Sequence, residues 1–147
     1  MATQPIVILG GFLITDEAYQ PMRHWLEQRS GQPVQLVPAN RLDWLLTVGA
    51  WGWRRLLDRT AALVQELASC SPTGKVTLIG HSSGGVMLRL FLGDEPFAGR
   101  RYNGAALADR LFCLGSPPPP CGPRHCGSWW IVATRAPSSP MRWTMSP

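Results

Sequence analysis

The sequence predicts an α/β protein, a three-layer sandwich with a mostly parallel sheet. Short apolar runs recur at residues 6–9, 34–37, 76–79 and 111–114, each bounded on at least one side by glycine or proline. The stretches between the first three, and the one after the third, carry apolar residues at helical spacing. Strands joined by helix-length crossovers run parallel, and an alternating strand–helix order buries such a sheet between two helical layers.

The elements follow in order. Ile6, Val7, Ile8 and Leu9 are continuously apolar between Pro5 and Gly10-Gly11, the pattern of a strand buried on both faces. Over residues 15–29, Tyr19, Met22, Trp25 and Leu26 share a helical face; Thr15 or Asp16 can cap its start, and Gly31 lies just past its end. Residues 34–37, between Pro33 and Pro38, form the second strand. Residues 42–53 are too apolar for an ordinary loop and too interrupted by Gly49 and Gly52 for one long helix. Their three tryptophans either pack on the sheet or line a pocket, because an indole suits a boundary between apolar and wet surroundings. Trp51 and Trp53 are the candidate substrate-binding residues. From 53 to 69, Leu56, Leu57, Thr60, Leu63, Val64 and Leu67 mark the clearest helix, with Arg54, Arg55, Asp58 and Arg59 on what reads as a solvated face. Pro72-Thr73-Gly74 turns the chain into the third strand; a helix, a polar loop over 93–104 and the fourth strand complete the series, which ends at Gly115-Ser116-Pro117.

Chemistry is concentrated where the third strand meets its helix. Gly80-His81-Ser82-Ser83-Gly84 is a G-x-S-x-G sequence, preceded by strand composition and followed by Val86, Met87, Leu90 and Phe91 at helical spacing. A serine exposed on a strand-to-helix turn this sharp needs small flanking residues, and glycine removes the Cβ clash. Ser82 is therefore the candidate nucleophile. A turn used only for close packing is the plainer alternative, and the spacings of a phosphate-binding glycine loop are missing. Ligands of parallel sheets bind beyond the carboxyl ends of the strands, where Gly10-Gly11, Ser82 and Ser116 converge.

Composition narrows the partners. A length of 147 residues is one domain, short for an α/β enzyme with a full sheet. The net charge of +5 comes from arginines scattered along the chain, with Lys75 the only lysine, so no basic stripe marks a nucleic-acid partner. The N-terminus lacks the basic segment and apolar core of a signal peptide, and no run is long enough to span a membrane. A cytoplasmic protein with reduced thiols at Cys70, Cys113, Cys121 and Cys126 is expected, with no cofactor and no metal, and with membrane-surface contact open through the tryptophan-rich stretch.

Three separated motifs give the chain a resemblance to the α/β-hydrolase superfamily in its lipase and esterase branch: the strand and loop from Ile6 to Phe12, the elbow over 80–84, and Leu114-Gly115-Ser116-Pro117. The resemblance covers residues 1–116 and implies the N-terminal part of the hydrolase domain, a partial α/β-hydrolase fold. It also implies Ser82 as nucleophile, with the backbone N–H groups of Ser83 and Phe12 as oxyanion donors and Gly11 as the alternative to Phe12. Gly10 stands where many lipases have histidine. His81, constrained inside the elbow, reads as structural. The family's triad continues with an acid and then a histidine on later loops. After Ser82 the chain offers only Asp94, Glu95, Asp109 and His125, none in the family's place.

From 117 onward the composition changes to proline, arginine, tryptophan and serine, without an acidic residue or lysine. Four readings compete: a proline-rich recognition tail, a zinc site from Cys113, Cys121, His125 and Cys126, a disordered extension, or translation out of frame. The last is preferred, because arginine-rich usage suggests GC-rich codons, and such DNA read in a wrong frame yields this composition. The domain is then truncated after its fourth core strand, which is expected to be left as an unpaired edge; one further strand is conceivable over 128–134. The functional expectation is a serine esterase acting on a small-molecule ester, thioester or lipid-like substrate through an acyl-enzyme on Ser82, impaired by the missing acid and histidine. Hydrolysis and acyl transfer stay unseparated. The rival is an inactive hydrolase-like scaffold that binds a partner.

Overall fold

The computed structural model describes residues 4–117 and 133–135. Strands β1 (Ile6–Leu9), β2 (Val34–Leu36), β3 (Val76–His81), β4 (Ala108–Leu114) and β5 (Ala133–Arg135) form one sheet in the order β2-β1-β3-β4-β5. The first four run parallel, and β5 is antiparallel to β4, with Phe112 opposite Ala133 and Arg110 opposite Arg135. The expectation of a bare β4 edge is thereby corrected over residues 110–112. Of the strand conceived over 128–134, residues 133 and 134 fall in β5; Cys121, His125 and Cys126 of the tail lie outside the described residues.

Alternation along the strands explains why the runs read as continuously apolar. Val7 and Leu9 of β1, Val76 and Leu78 of β3, and Leu111 and Cys113 of β4 enter one core. Ile6, Ile8 and Ile79 enter the other, with Phe112 and Leu114 packed against it. Helices α3 (Ala50–Cys70) and α4 (Ser83–Leu92) cover the first face through Leu56, Leu57, Val64, Met87, Leu88 and Phe91. Helix α1 (Gln20–Ser30) covers the second through Met22 and Leu26. The chain is an α/β three-layer sandwich.

Two segments depart from the expected boundaries. The helix read over 15–29 is a 3-10 turn at Asp16–Tyr19 followed by α1, with Pro21 in the first turn of α1, where its missing N–H is harmless. Gly31 ends α1 at φ 65°, its N–H donating to Glu27 O. Residues 42–53 resolve into α2 (Arg41–Leu45), a 3-10 turn at Leu46–Val48 and the start of α3. Gly52 allows this fold-back, because a Cβ there would collide with the Leu46 carbonyl. Asn40 and Asp43 form a capping box at the start of α2.

The face of α3 read as merely solvated does more than that. Arg59 reaches from α3 to grip both oxygens of buried Asp43 at 2.7 and 3.0 Å, and Arg55 approaches at 3.7 Å. The Arg59 hydrogen bond, opposed by burial and helped by the Asn40 N–H, holds the Asp43 carboxyl below its ordinary range.

Candidate active site

The sheet order fixes where a site can form. From β1 the chain moves outward to β2, then returns to place β3 on the other side of β1 and continues outward to β4. The order therefore reverses between β1 and β3, the position where open parallel sheets leave a crevice at their carboxyl ends. The loop after β1 and the turn after β3 meet there. A Cβ built on Gly11 would lie 3.1 Å from Ser82 Cβ and 3.0 Å from His81 Nδ1.

Ser82 has φ 52° and ψ −122°, between the last residue of β3 and the first of α4. A side chain in this region costs about 1–3 kcal/mol and persists only where the surroundings impose it. They do so through three glycines. A Cβ on Gly80 would lie 2.6 Å from Gly85 N and closer still to its Cα. One on Gly84 would collide with the carbonyls of Leu9 and Gly10, and one on Gly85 with Ser116 Oγ. Ser82 N–H donates to Leu114 O at 2.8 Å, tying the turn to the end of β4. Ser82 itself is half-buried.

The predicted oxyanion donors differ in their engagements. Ser83 opens α4, so its N–H belongs to the unpaired first turn and points out of the positive end of the helix dipole. Gly11 N–H is taken: it donates to Tyr19 Oη at 2.7 Å. Phe12 follows in a turn closed by Ile14 N–H to Gly11 O at 3.2 Å, and Leu13 in that turn has φ 60°, a second strained non-glycine residue beside the crevice. The Phe12 N–H donates to no acceptor among the described residues.

Tyr19 is the residue that reading the sequence missed. Helical spacing marks it as one apolar contact among others, yet its buried hydroxyl lies 2.8 Å from His81 Nδ1 as well as accepting from Gly11. The available signal was chemical, since a buried tyrosine hydroxyl finds a partner. Burial pushes its pKa up, so the hydroxyl keeps its proton, while the Gly11 N–H opposes that shift.

The tryptophans divide. Trp53 packs against Phe97 and donates its indole N–H to Thr47 O at 2.7 Å. Trp51 is 61% exposed, with the Arg55 guanidinium over its ring. It is fully buried Trp44 that reaches the loop after β1, edge-on to Phe12 with ring centroids 6.3 Å apart. Phe12, Leu13, Leu42, Leu45, Val48 and Trp51 are exposed large apolar residues of the two segments joined by that contact.

No described histidine is arranged as a base for Ser82. His81 Nδ1 faces Tyr19, and His24 on α1 pairs with Gln28 at 2.8 Å. Asp94 and Glu95 are exposed beyond the end of α4, and Asp109 in β4 pairs with Arg110 at 3.5 Å. Ser116 Oγ sits behind the elbow, 3.5 Å from Gly80 O. No group of three potential metal ligands occurs among the described residues, and no described helix is long and apolar enough to cross a membrane.

No family model and no curated protein matches the chain. Two solved structures do, one of an acetylxylan esterase at 0.90 Å resolution and one of an iodinated complex of acetyl xylan esterase at 1.80 Å, with TM-scores of 0.56 and 0.54. Identity is 14% in both, over 79% of this chain and 64% of the other. At that identity the likeness shows the fold, and this chain spans 64% of the length of those it matches.

Proposed function

We propose that residues 1–116 are the N-terminal part of a serine hydrolase domain of the α/β-hydrolase type, with Ser82 as nucleophile. The observation that carries this reading is the backbone of Ser82: a serine at φ 52°, at a strand-to-helix turn, beside the glycine loop of the neighbouring strand. Strain at a packing turn is avoidable by placing glycine there, whereas a nucleophile needs the side chain.

In the proposed reaction Ser82 Oγ attacks the carbonyl carbon of an ester or thioester, its proton passes to a base, and the carbonyl π pair moves to oxygen. The Ser83 and Phe12 N–H groups meet the developing oxyanion. Its collapse breaks the bond to the alcohol or thiol, which leaves with a proton, and water then releases the acyl group by the same route. Small-molecule esters are the substrate class favoured by the resemblance to acetylxylan esterase structures. An apolar acyl part is supported by the exposed apolar side chains of Phe12, Leu13, Leu42, Leu45 and Trp51.

Residues 117–147 are, on this reading, an out-of-frame tail, and no described histidine or acid is arranged to serve Ser82 as base or acid. Turnover is then near background, since oxyanion hole and binding alone retain roughly 10³ to 10⁴-fold over water. Chemical rescue tests this. Imidazole should accelerate hydrolysis of a short p-nitrophenyl ester beyond its own solution rate in the wild type and not in Ser82→Ala; equal rates would overturn the nucleophile. The second reading, an inactive binding scaffold, is favoured by the engagement of both described histidines elsewhere and predicts no rescue.

A further inference from the structure

One hydroxyl joins the two halves of the proposed site. Gly11 N–H, on the loop after β1, lies 2.7 Å from Tyr19 Oη, and the same oxygen lies 2.8 Å from His81 Nδ1, in the residue before Ser82. A backbone N–H only donates, so Tyr19 Oη accepts from Gly11. The phenol keeps one proton, which goes to His81 Nδ1 in the tautomer with the imidazole proton on Nε2; with the proton on Nδ1 the same contact runs the other way. The loop glycines fit this seat. A Cβ on Gly10 would lie 3.0 Å from Tyr19 Cζ and nearer to Cε2, and one on Gly11 would press on His81 Nδ1 and Ser82 Cβ.

We propose that Tyr19 is a positioning residue: the one-way chain from Gly11 N–H through Tyr19 Oη–H to His81 Nδ1 clamps the oxyanion loop to the elbow and leaves Phe12 N–H, not Gly11 N–H, as the loop's donor to substrate. The inference rests on Ser82 being the nucleophile. It assigns Gly10 to the tyrosine ring, a role unconnected with the histidine found there in many lipases. It gives His81 a definite tautomer and a task outside proton transfer. The tether also spans two elements far apart in sequence, the 3-10 turn at Asp16–Tyr19 and the end of β3.

The test is Tyr19→Phe in the full chain, which keeps the ring and removes the oxygen. Three readouts are compared with wild type: hydrogen exchange of the Gly11 amide, the 15N shift of His81 Nδ1, and the kinact and KI of fluorophosphonate labelling at Ser82. The expected result is Gly11 exchange faster by about tenfold or more, a shifted Nδ1 resonance, and kinact lower by about tenfold with KI unchanged, a fraction of the loss seen when an oxyanion donor is deleted. A loss confined to KI, unchanged kinact, or unchanged Gly11 exchange would overturn the proposal. If wild-type Ser82 is not labelled, the nucleophile reading fails, and Gly11 exchange alone decides the tether. Should Tyr19→Phe not fold, His81→Gln and His81→Leu put the question from the other end. Glutamine can accept from Tyr19 Oη and should preserve kinact, leucine should lower it, and equal values for the two would overturn the clamp.

Discussion

The elbow after β3 and the corner between α2 and α3 both turn the chain sharply over closely packed glycine, but only the corner is also held by charge. At the elbow, Gly80 and Gly84 admit main-chain atoms where a Cβ would stand, Gly85 admits the Ser116 side chain, and Ser82 is held at positive φ. At the corner, Asp43 is buried and anchored by Asn40, Arg55 and Arg59. A contact made by absent atoms tolerates no substitution, whereas a contact made by side chains weakens by degrees and responds to pH.

Gly84→Val strikes the elbow hardest. The new side chain meets the carbonyls of Leu9, which ends β1, and of Gly10 just beyond it, and a loss of about 4 kcal/mol or more would consume most of a small domain's stability, so soluble yield and the cooperative unfolding transition should both disappear. At the corner, Asp43→Ala strands Arg59 and removes the acceptor of the Asn40 N–H; with Arg59 31% exposed, about 2–3 kcal/mol by urea unfolding is expected, below the loss for a fully buried pair. The sign with pH follows from the lowered Asp43 pKa. Its stabilisation is complete above the ordinary carboxylate range and is lost as pH falls through the lowered folded value, so the wild type should lose more stability on acidification than Asp43→Asn. The strained serine gives the opposite sign. Ser82→Gly should stabilise by about 1 kcal/mol while abolishing labelling, a trade of function for relief that a packing turn would not show. Smallest is Trp51→Ala, on an exposed ring, with a stability change within about 0.5 kcal/mol and a loss of activity greater on long than on short acyl esters; equal losses would remove Trp51 from the substrate surface.

The same contrast governs what could be read from the residues. The sheet was readable because strands buried on both faces leave unbroken apolar runs, and the elbow because glycine spacing records a backbone constraint locally. The corner was not. Asp43 and Arg59 are 16 residues apart, and on a helix with an apolar face opposite, Arg59 has the signature of a solvated charge. Tyr19 is the same case over 62 residues, since nothing in the spacing connects it to His81. Trp44, Trp51 and Trp53 share one composition, yet the 3-10 turn at Leu46–Val48 sends them three ways. The pairing of β5 with β4 was equally out of reach, because three residues in a compositionally odd tail carry no alternation to read.

Whether the elbow holds an addressable nucleophile is read by mass-spectrometric location of a fluorophosphonate label on the full chain. Slow labelling should fall on Ser82 ahead of the other serines and vanish in Ser82→Ala. Labelling spread over exposed serines, with Ser82 no faster than the rest and the total unchanged in Ser82→Ala, would contradict it.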